Sequence, residues 1–273
     1  MMIFTAVHRM ISRVYAAIVD VKNLNGRDID QMYGLMNNYY EGLKRDKFLI
    51  DLKKKDKVIL LRDRRTKQLM GFSTLYVFSR KMFAGLANAR NFTGVFSGDT
   101  IIHRDYWGGS ALQLAFGVYL SWLKIKTPWR PVYWFLISKG YKTYLLMANN
   151  FPHHYPRFES IAFSDAPKVM DHVYSYLYPE SWDSASGLIV NRHGEYHLKY
   201  GVAVPDKKLC EANPRVGYFV AQNPRWEQGD ELACIAEMNI SVLTNYIKKR
   251  IAKYFARIST DKSKAKEASY AAK

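Results

Sequence analysis

Apolar side chains at Ile29, Met32, Tyr33, Leu35, Met36 and Tyr40 recur at spacings of three and four, which predicts a helix from Asp28 to about Gly42, capped by Asp28. A second short helical stretch begins at Phe48 and ends in the charged run Lys53–Lys57. The period then changes. Val58–Arg62 and Leu69–Phe78 are apolar runs of strand length around the charged turn Asp63–Gln68, which predicts a hairpin. Residues 79–92 read as a basic connector, and Phe92–His103 as another strand. Ser110–Lys126 is helical in pattern, with Leu112, Leu114, Ala115, Val118, Tyr119 and Trp122 forming a broad stripe that Pro128 ends. Pro131–Ser138 is continuously apolar, as in a strand buried on both faces. Gly140 separates it from a helix over Tyr141–Asn150.

Beyond Pro152 the rhythm is less regular. Asp165-Ala166-Pro167 opens a helix through Tyr178. Leu188–Val190 and Glu195–Lys199 flank the turn Arg192-His193-Gly194, and Val216–Ala221 and Glu231–Met238 read as two further strands. A last helix sets Ile240, Leu243, Ile247, Ile251, Tyr254 and Ile258 on one face and Lys249, Lys253 and Arg257 on another. Residues 259–273 are rich in Lys, Ala and Ser and are expected to be disordered.

Composition narrows the classes. At 273 residues, 48% hydrophobic and 24% charged, the chain has the balance of a soluble globular protein. No stretch reaches the ~18–20 uninterrupted apolar residues of a membrane span, and His8, Arg9 and Arg13 break any signal-peptide pattern at the N-terminus. Cys210 and Cys234 form no CxxC pair and suit reduced thiols in the cytoplasm. The net charge of +17 is partly a tail property: residues 248–273 carry nine Lys and Arg against Asp261 and Glu267. It admits an anionic membrane surface, a nucleic acid, an acidic carrier protein or a nucleotide as partner, beside a plain solvated basic surface. There is no GxSxG, HExxH, Walker A or dinucleotide glycine fingerprint. The adjacent His153 and His154 are poorly spaced for a metal and no third ligand accompanies them, so no metal is expected.

The run from Ser97 to Leu112 carries the chemistry. A β-branched strand enters the turn Trp107-Gly108-Gly109-Ser110-Ala111 and the turn opens onto a helix, the arrangement that aims backbone N–H groups at a phosphate. The same turn without a ligand is the plain alternative. Together with the order helix, hairpin, long strand, glycine turn, helix, buried strand, helix, this run resembles the GCN5-related N-acetyltransferase (GNAT) superfamily over residues 28–151. The resemblance implies an α/β fold with a mixed, mostly antiparallel central sheet, flanking helices and splayed central strands. Residues 1–151 would form the acyl-donor-binding region, 152–258 would complete the sheet and the acceptor or acyl pocket, and 259–273 would be a basic tail.

By the same resemblance, the strand end Thr100-Ile101-Ile102-His103 faces a pantetheine arm and Trp107, Gly108, Gly109, Ser110 and Ala111 hold a pyrophosphate. Val132–Ile137 is the strand that splays away. Tyr141 or Tyr144 stands where the family often keeps the tyrosine that protonates the leaving thiolate, and Phe151 matches a Phe that closes that helix. Tyr106 departs from the pattern, since Gln or Arg usually stands three residues before the glycine that Gly109 matches.

The implied reaction passes an acyl group from acyl-CoA (acetyl or longer), or from phosphopantetheine on an acyl carrier protein, directly to a small-molecule or lipid amine. Asp99, mid-strand among apolar residues, is the candidate base, with a strand cap or bulge as its structural alternative. Tyr144 is the candidate acid, with core packing as its alternative. His103 is a candidate phosphate contact or an ordinary strand-end residue, and Tyr141, His153 and His154 are candidate substrate contacts. Contact with the inner membrane surface is expected of the basic last helix. An inactive GNAT-like scaffold and a basic nucleic-acid-binding protein are the competing readings, although no aromatic-rich RNA motif supports the second.

Overall fold

A computed structural model of the chain describes residues 13–80, 92–159, 165–192, 197–199, 201–202, 204–239 and 244. Its strands, in chain order, are β1 (Val14–Asp20), β2 (Tyr40–Glu41), β3 (Lys57–Asp63), β4 (Leu69–Arg80), β5 (Phe92–Ile102), β6 (Val132–Ser138), β7 (His154–Tyr155), β8 (Trp182–Asp183), β9 (Leu188–Ile189), β10 (His197–Leu198) and β11 (Glu231–Met238). The helices are α1 (Gly26–Asn37), α2 (Arg45–Lys53), α3 (Ala111–Lys126), α4 (Tyr141–Ala148), α5 (Ala166–Leu177), α6 (Lys207–Ala212) and α7 (Pro214–Gln222). Met1–Met238 form one compact unit. A second, Asn239–Lys273, lies outside the described residues save 239 and 244, so the basic last helix and the tail lie there as well.

The nine-stranded sheet runs β1-β3-β4-β5-β6-β11-β9-β8, with β7 also on β11. Every pair is antiparallel except β5 with β6, so the fold is mixed α/β with a mostly antiparallel sheet, GNAT-like in order. Helices cover both faces because β6 alternates. Trp134 packs on Phe116 of α3 and on Phe151, whereas Phe135 packs on Tyr174 of α5. Met32, Leu35 and Met36 of α1 and Phe48 and Leu52 of α2 share a second buried cluster with Val58, Leu60, Phe72 and Ile101.

Two features of β5 open the sheet. Its parallel pairing with β6 stops at Ser97↔Leu136, although β5 continues to Ile102 and β6 to Ser138. Beside that point the β4–β5 register slips between Ser73 and Leu75, which leaves one extra residue on β5 around Gly98 and Asp99. A bulge of this kind bends its strand and re-aims a side chain.

Several expected elements differ. Val216–Ala221 is not a strand but part of α7. Asn213 caps it by accepting from the Arg215 N–H at 3.2 Å, Pro214 starts the helix, and Val216 and Phe219 are buried at helical spacing. Leu198 and His197 pair with Tyr40 and Glu41 of β2 rather than with 188–190. Asn25, not Asp28, caps α1, since its side chain accepts from the Asp28 N–H at 2.8 Å. Asp28 instead pairs with Arg62 at 2.5 Å. The edge strand β1 and helix α6 were not legible in the pattern.

Candidate functional site

A cavity of about 580 Å³ occupies the gap between β5 and β6. Gly98, Asp99, Thr100, Ile101 and Ile102 form one wall, and Ile137, Lys139, Gly140 and the α4 residues Lys142, Thr143, Leu145 and Leu146 form the other. Tyr40 and the α2 residues Lys47, Phe48, Ile50 and Asp51 close it on one side, together with Lys54 and Lys55. Tyr178, Leu198 and Glu231 contribute from the C-terminal part. Gly98 is required by close approach: a Cβ there would lie 2.6 Å from Thr74 Oγ1 and 3.0 Å from Lys55 Cε.

The glycine turn stands at the same cavity. Trp107, Gly108, Gly109 and the first turn of α3, at Leu112 and Gln113, all line it. Gly108 has φ +76°, and nothing lies within 4 Å of a Cβ added there. The first hydrogen bond inside α3 runs from the Leu114 N–H to the Ser110 carbonyl at 2.9 Å. The N–H groups of Ala111 and Leu112 therefore precede any intrahelical acceptor. Ser110 makes no side-chain cap and the first turn holds no acid, so nothing in the helix competes for those donors. Lys142 adds a cation, its Nζ 3.2 Å from the Trp107 ring centroid, where partial desolvation lowers its pKa. The residues present fit an anionic group at the mouth.

Tyr106 has another task. Its O–H donates to Asp63 Oδ2 at 2.7 Å, and the Arg13 guanidinium lies 4.7 Å from its ring centroid. The residue standing where Gln or Arg is usual thus ties the loop to the β3–β4 turn. The loop is held further by Trp107 Nε1, which donates to the Ile102 carbonyl at 2.8 Å, and by the Arg104 N–H, which donates to Tyr39 Oη at 2.7 Å.

Deeper in the cavity, charges are arranged in pairs. Lys139 meets Glu231 at 3.2 Å and Lys55 meets Asp51 at 3.0 Å. The Tyr40 phenol is held far above its ordinary pKa, first by burial and then by the charges of Asp99 and Glu231. Tyr178 is raised for the same reason, with Glu231, Asp51 and Asp99 among the charges acting on it. Two neutral phenols and a carboxylate on a bulge therefore share one space.

Of the residues singled out in the sequence, Asp99, Ile101, Ile102, Trp107, Gly108 and Gly109 line the cavity. His103, Ser110 and Ala111 adjoin it in the chain without lining it. The His103 ring instead accepts a 3.4 Å hydrogen bond from the Asp105 N–H. Tyr141, between Gly140 and Lys142, likewise adjoins it without lining it, and Tyr144, His153 and His154 are elsewhere. Tyr144 points to the opposite side of α4, buried between His154 and Phe219, and donates to the Pro156 carbonyl at 3.3 Å. Desolvation raises its pKa too, but away from the cavity. The His153 carbonyl accepts from the Glu237 N–H, which ties it into the sheet. Sequence reasoning missed Tyr40, Tyr178, Lys139 and Glu231. Only Lys139, beside Gly140 at the end of a buried strand, had a local signal.

No family model and no curated protein matches the chain. Solved structures do. Arabidopsis thaliana NAA60 in complex with a bisubstrate analogue matches at 14% identity and TM-score 0.37, over 54% of this chain and 91% of that one. The GNAT family N-acetyltransferase YhbS from Escherichia coli, in complex with CoA, matches at 11% identity and TM-score 0.33, over 47% of this chain and 65% of that one. A probable N-acyltransferase from Enterococcus faecalis matches at 12% identity and TM-score 0.36, over 59% of this chain and 43% of that one. The GNAT-like fold stands on this chain's own sheet order, strand divergence and glycine turn.

Proposed function

We propose that this protein is an acyltransferase that moves an acyl group from a pantetheine thioester, on CoA or on an acyl carrier protein, directly to an amine. One observation carries the reading: a single cavity joins an anion-receiving turn to a carboxylate and two neutral phenols between diverging strands. The roles follow from placement. The turn at Gly108 and Gly109, with the α3 N-terminus, receives the donor's phosphates. Beyond Ser97 the edge of β5 away from β4 pairs with no strand among the described residues, so backbone polar groups there, apart from the Ile102 carbonyl that Trp107 holds, can meet the amides of the donor's arm. Asp99 takes the proton that the attacking amine must lose. As the new C–N bond forms and the C–S bond breaks, the leaving sulfur takes a proton from Tyr40, whose raised pKa keeps it protonated at neutral pH. Tyr144 is given no part. The basic mouth, with Lys47, Lys54 and Lys142, suits either donor, since both the nucleotide of CoA and a carrier protein are acidic.

Thermal unfolding with CoA, acetyl-CoA and palmitoyl-CoA tests donor binding, because a ligand that binds only the folded state raises the midpoint. A rise with at least one is expected, and no rise with any sinks the acyl-CoA donor. Thiol release against a panel of amines tests the chemistry. Asp99→Asn and Tyr40→Phe should keep the thermal shift and lose about 10²–10⁴-fold in rate. Unchanged rates in both would remove these residues from the mechanism. A second reading, a fold that binds donor without turning it over, draws on Tyr106, which is tied to Asp63 instead of facing a phosphate. It predicts the thermal shift with no thiol release from the wild-type chain.

A further inference from the structure

Between residues 106 and 158 the chain carries no Asp or Glu but six Lys and Arg. Within that stretch, the last turn of α3 and the loop after it turn apolar side chains to solvent: Trp122 is 37% exposed, Ile125 68% and Trp129 75%. The exposure is built in. Lys124 Nζ donates to the carbonyls of Pro128 at 3.0 Å and Arg130 at 2.8 Å, the two residues that flank Trp129. That clamp fixes the loop with the indole outward. Lys126 rests its ammonium 4.1 Å from the Trp122 ring centroid. The carboxylates that act on Tyr119 of the same helix are engaged elsewhere: Asp20 with Lys57 and Asp56 with the Val77 N–H. The patch is also remote from the donor turn, since the 16 residues of α3 separate the two by ~24 Å.

We propose that this end of α3 docks on an anionic phospholipid bilayer. Trp129 and Ile125 enter the headgroup–acyl boundary while Lys126 and Arg130 meet lipid phosphates. Exposed Trp beside an aliphatic chain and cations is the chemistry of a membrane interface. Ile125 offers nothing to a base edge or a phosphate, which disfavours nucleic acid. An acidic protein would leave the aliphatic group without a matching pocket unless it were itself apolar there. Among the described residues no helix is long and apolar enough to cross a membrane, and the contact proposed is a peripheral one. It is independent of the acyl-transfer reading.

The test keeps the full chain in every arm, so that whatever residues 248–273, with nine Lys and Arg against Asp261 and Glu267, contribute to vesicle binding is common to wild type and variant. The double variant Ile125→Ser/Trp129→Ser leaves every charge in place. Wild type should co-sediment with phosphatidylglycerol–phosphatidylcholine vesicles and not with phosphatidylcholine alone, and the variant should bind about tenfold more weakly or less. Its melting midpoint should be unchanged because both side chains are exposed. Quenching of tryptophan fluorescence by brominated lipid should fall in Trp129→Phe. Equal vesicle binding by wild type and the double variant overturns the proposal, as does a wild type that ignores phosphatidylglycerol. Loss of double-stranded DNA binding in the double variant with vesicle binding intact also overturns it.

Discussion

Two glycines flank the cavity for different physical reasons, and substituting each separates them. Gly108 holds φ +76° with open space around a would-be Cβ, so Gly108→Ala costs only the left-handed backbone, about 1–2 kcal/mol. It should also re-aim the turn's N–H groups and reduce the thermal shift given by CoA. Gly98 has no such φ but sits 2.6 Å, at a hypothetical Cβ, from Thr74 Oγ1. Gly98→Ala therefore overpacks the bulge, about 1–3 kcal/mol, and should displace Asp99 beside it. Urea denaturation of both variants with CoA titration checks the pair. A Gly108→Ala protein that keeps the full CoA shift would move phosphate binding away from the turn. Asp63 shows how far a single side chain reaches. Its carboxylate accepts from the Arg65 and Thr66 N–H groups, the Tyr106 phenol and Arg13, and these bonds hold its pKa far below the ordinary carboxylate range. The bond to Tyr106 couples the hairpin turn to the donor loop.

At the scale of elements, what was legible was local. The hairpin, the long strand into the glycine turn, the helix after it and the buried strand each declare themselves within their own residues, and the structure keeps them. The misses are places where a partner far along the chain decides. Leu198 pairs with Tyr40, and nothing near either residue announces the other. Tyr40 enters the cavity by that route, whereas Tyr144, which the family resemblance singles out, lies on the face of α4 away from the cavity. On α4, Lys142, Thr143, Leu145 and Leu146 line the cavity, while Tyr144 and Ala148, one turn apart, are buried away from it. Helix α7 reads as a strand in the sequence because Val216, Tyr218, Phe219 and Val220 are all strand-prone residues. The cap at Asn213, Pro214 at the first helical position and the burial of Val216 and Phe219 at helical spacing outweigh that propensity. Asn213→Ala should accordingly cost about 1 kcal/mol in chemical denaturation. Asn213→Asp, which keeps a capping oxygen, should cost much less. Equal losses in the two variants would show that the cap is not what holds α7.

For the molecule as a whole, the buried His154 sets how the fold responds to acid. Its Nδ1 lies 2.7 Å from the Phe151 carbonyl, which assigns the proton of the neutral ring to Nδ1. Nε2 is buried and, among the described residues, has no hydrogen-bond partner. Protonation would place a second N–H where no acceptor waits, with Arg157 and Arg215 adding like charge. Burial, foremost, and those arginines push the pKa down from 6.5 to about 4, against the Phe151 bond and Glu159, which pull it up. The unfolded chain therefore binds the proton first. Stability is fully present above about 6.5 and falls as the pH drops from there to about 4, by on the order of 3 kcal/mol. Below that window Asp63 takes over, because a depressed carboxylate contributes its full stability above its unfolded value of 3.8 and loses it progressively as the pH falls further. The two groups thus act in succession, on opposite sides of the sheet order, and the first can be isolated. His154→Asn retains an amide donor for the Phe151 carbonyl and cannot titrate. Urea midpoints taken in steps from neutral pH down to about 4 should slope steeply for wild type and stay nearly flat for His154→Asn. Parallel slopes in the two proteins would assign the acid sensitivity to other groups.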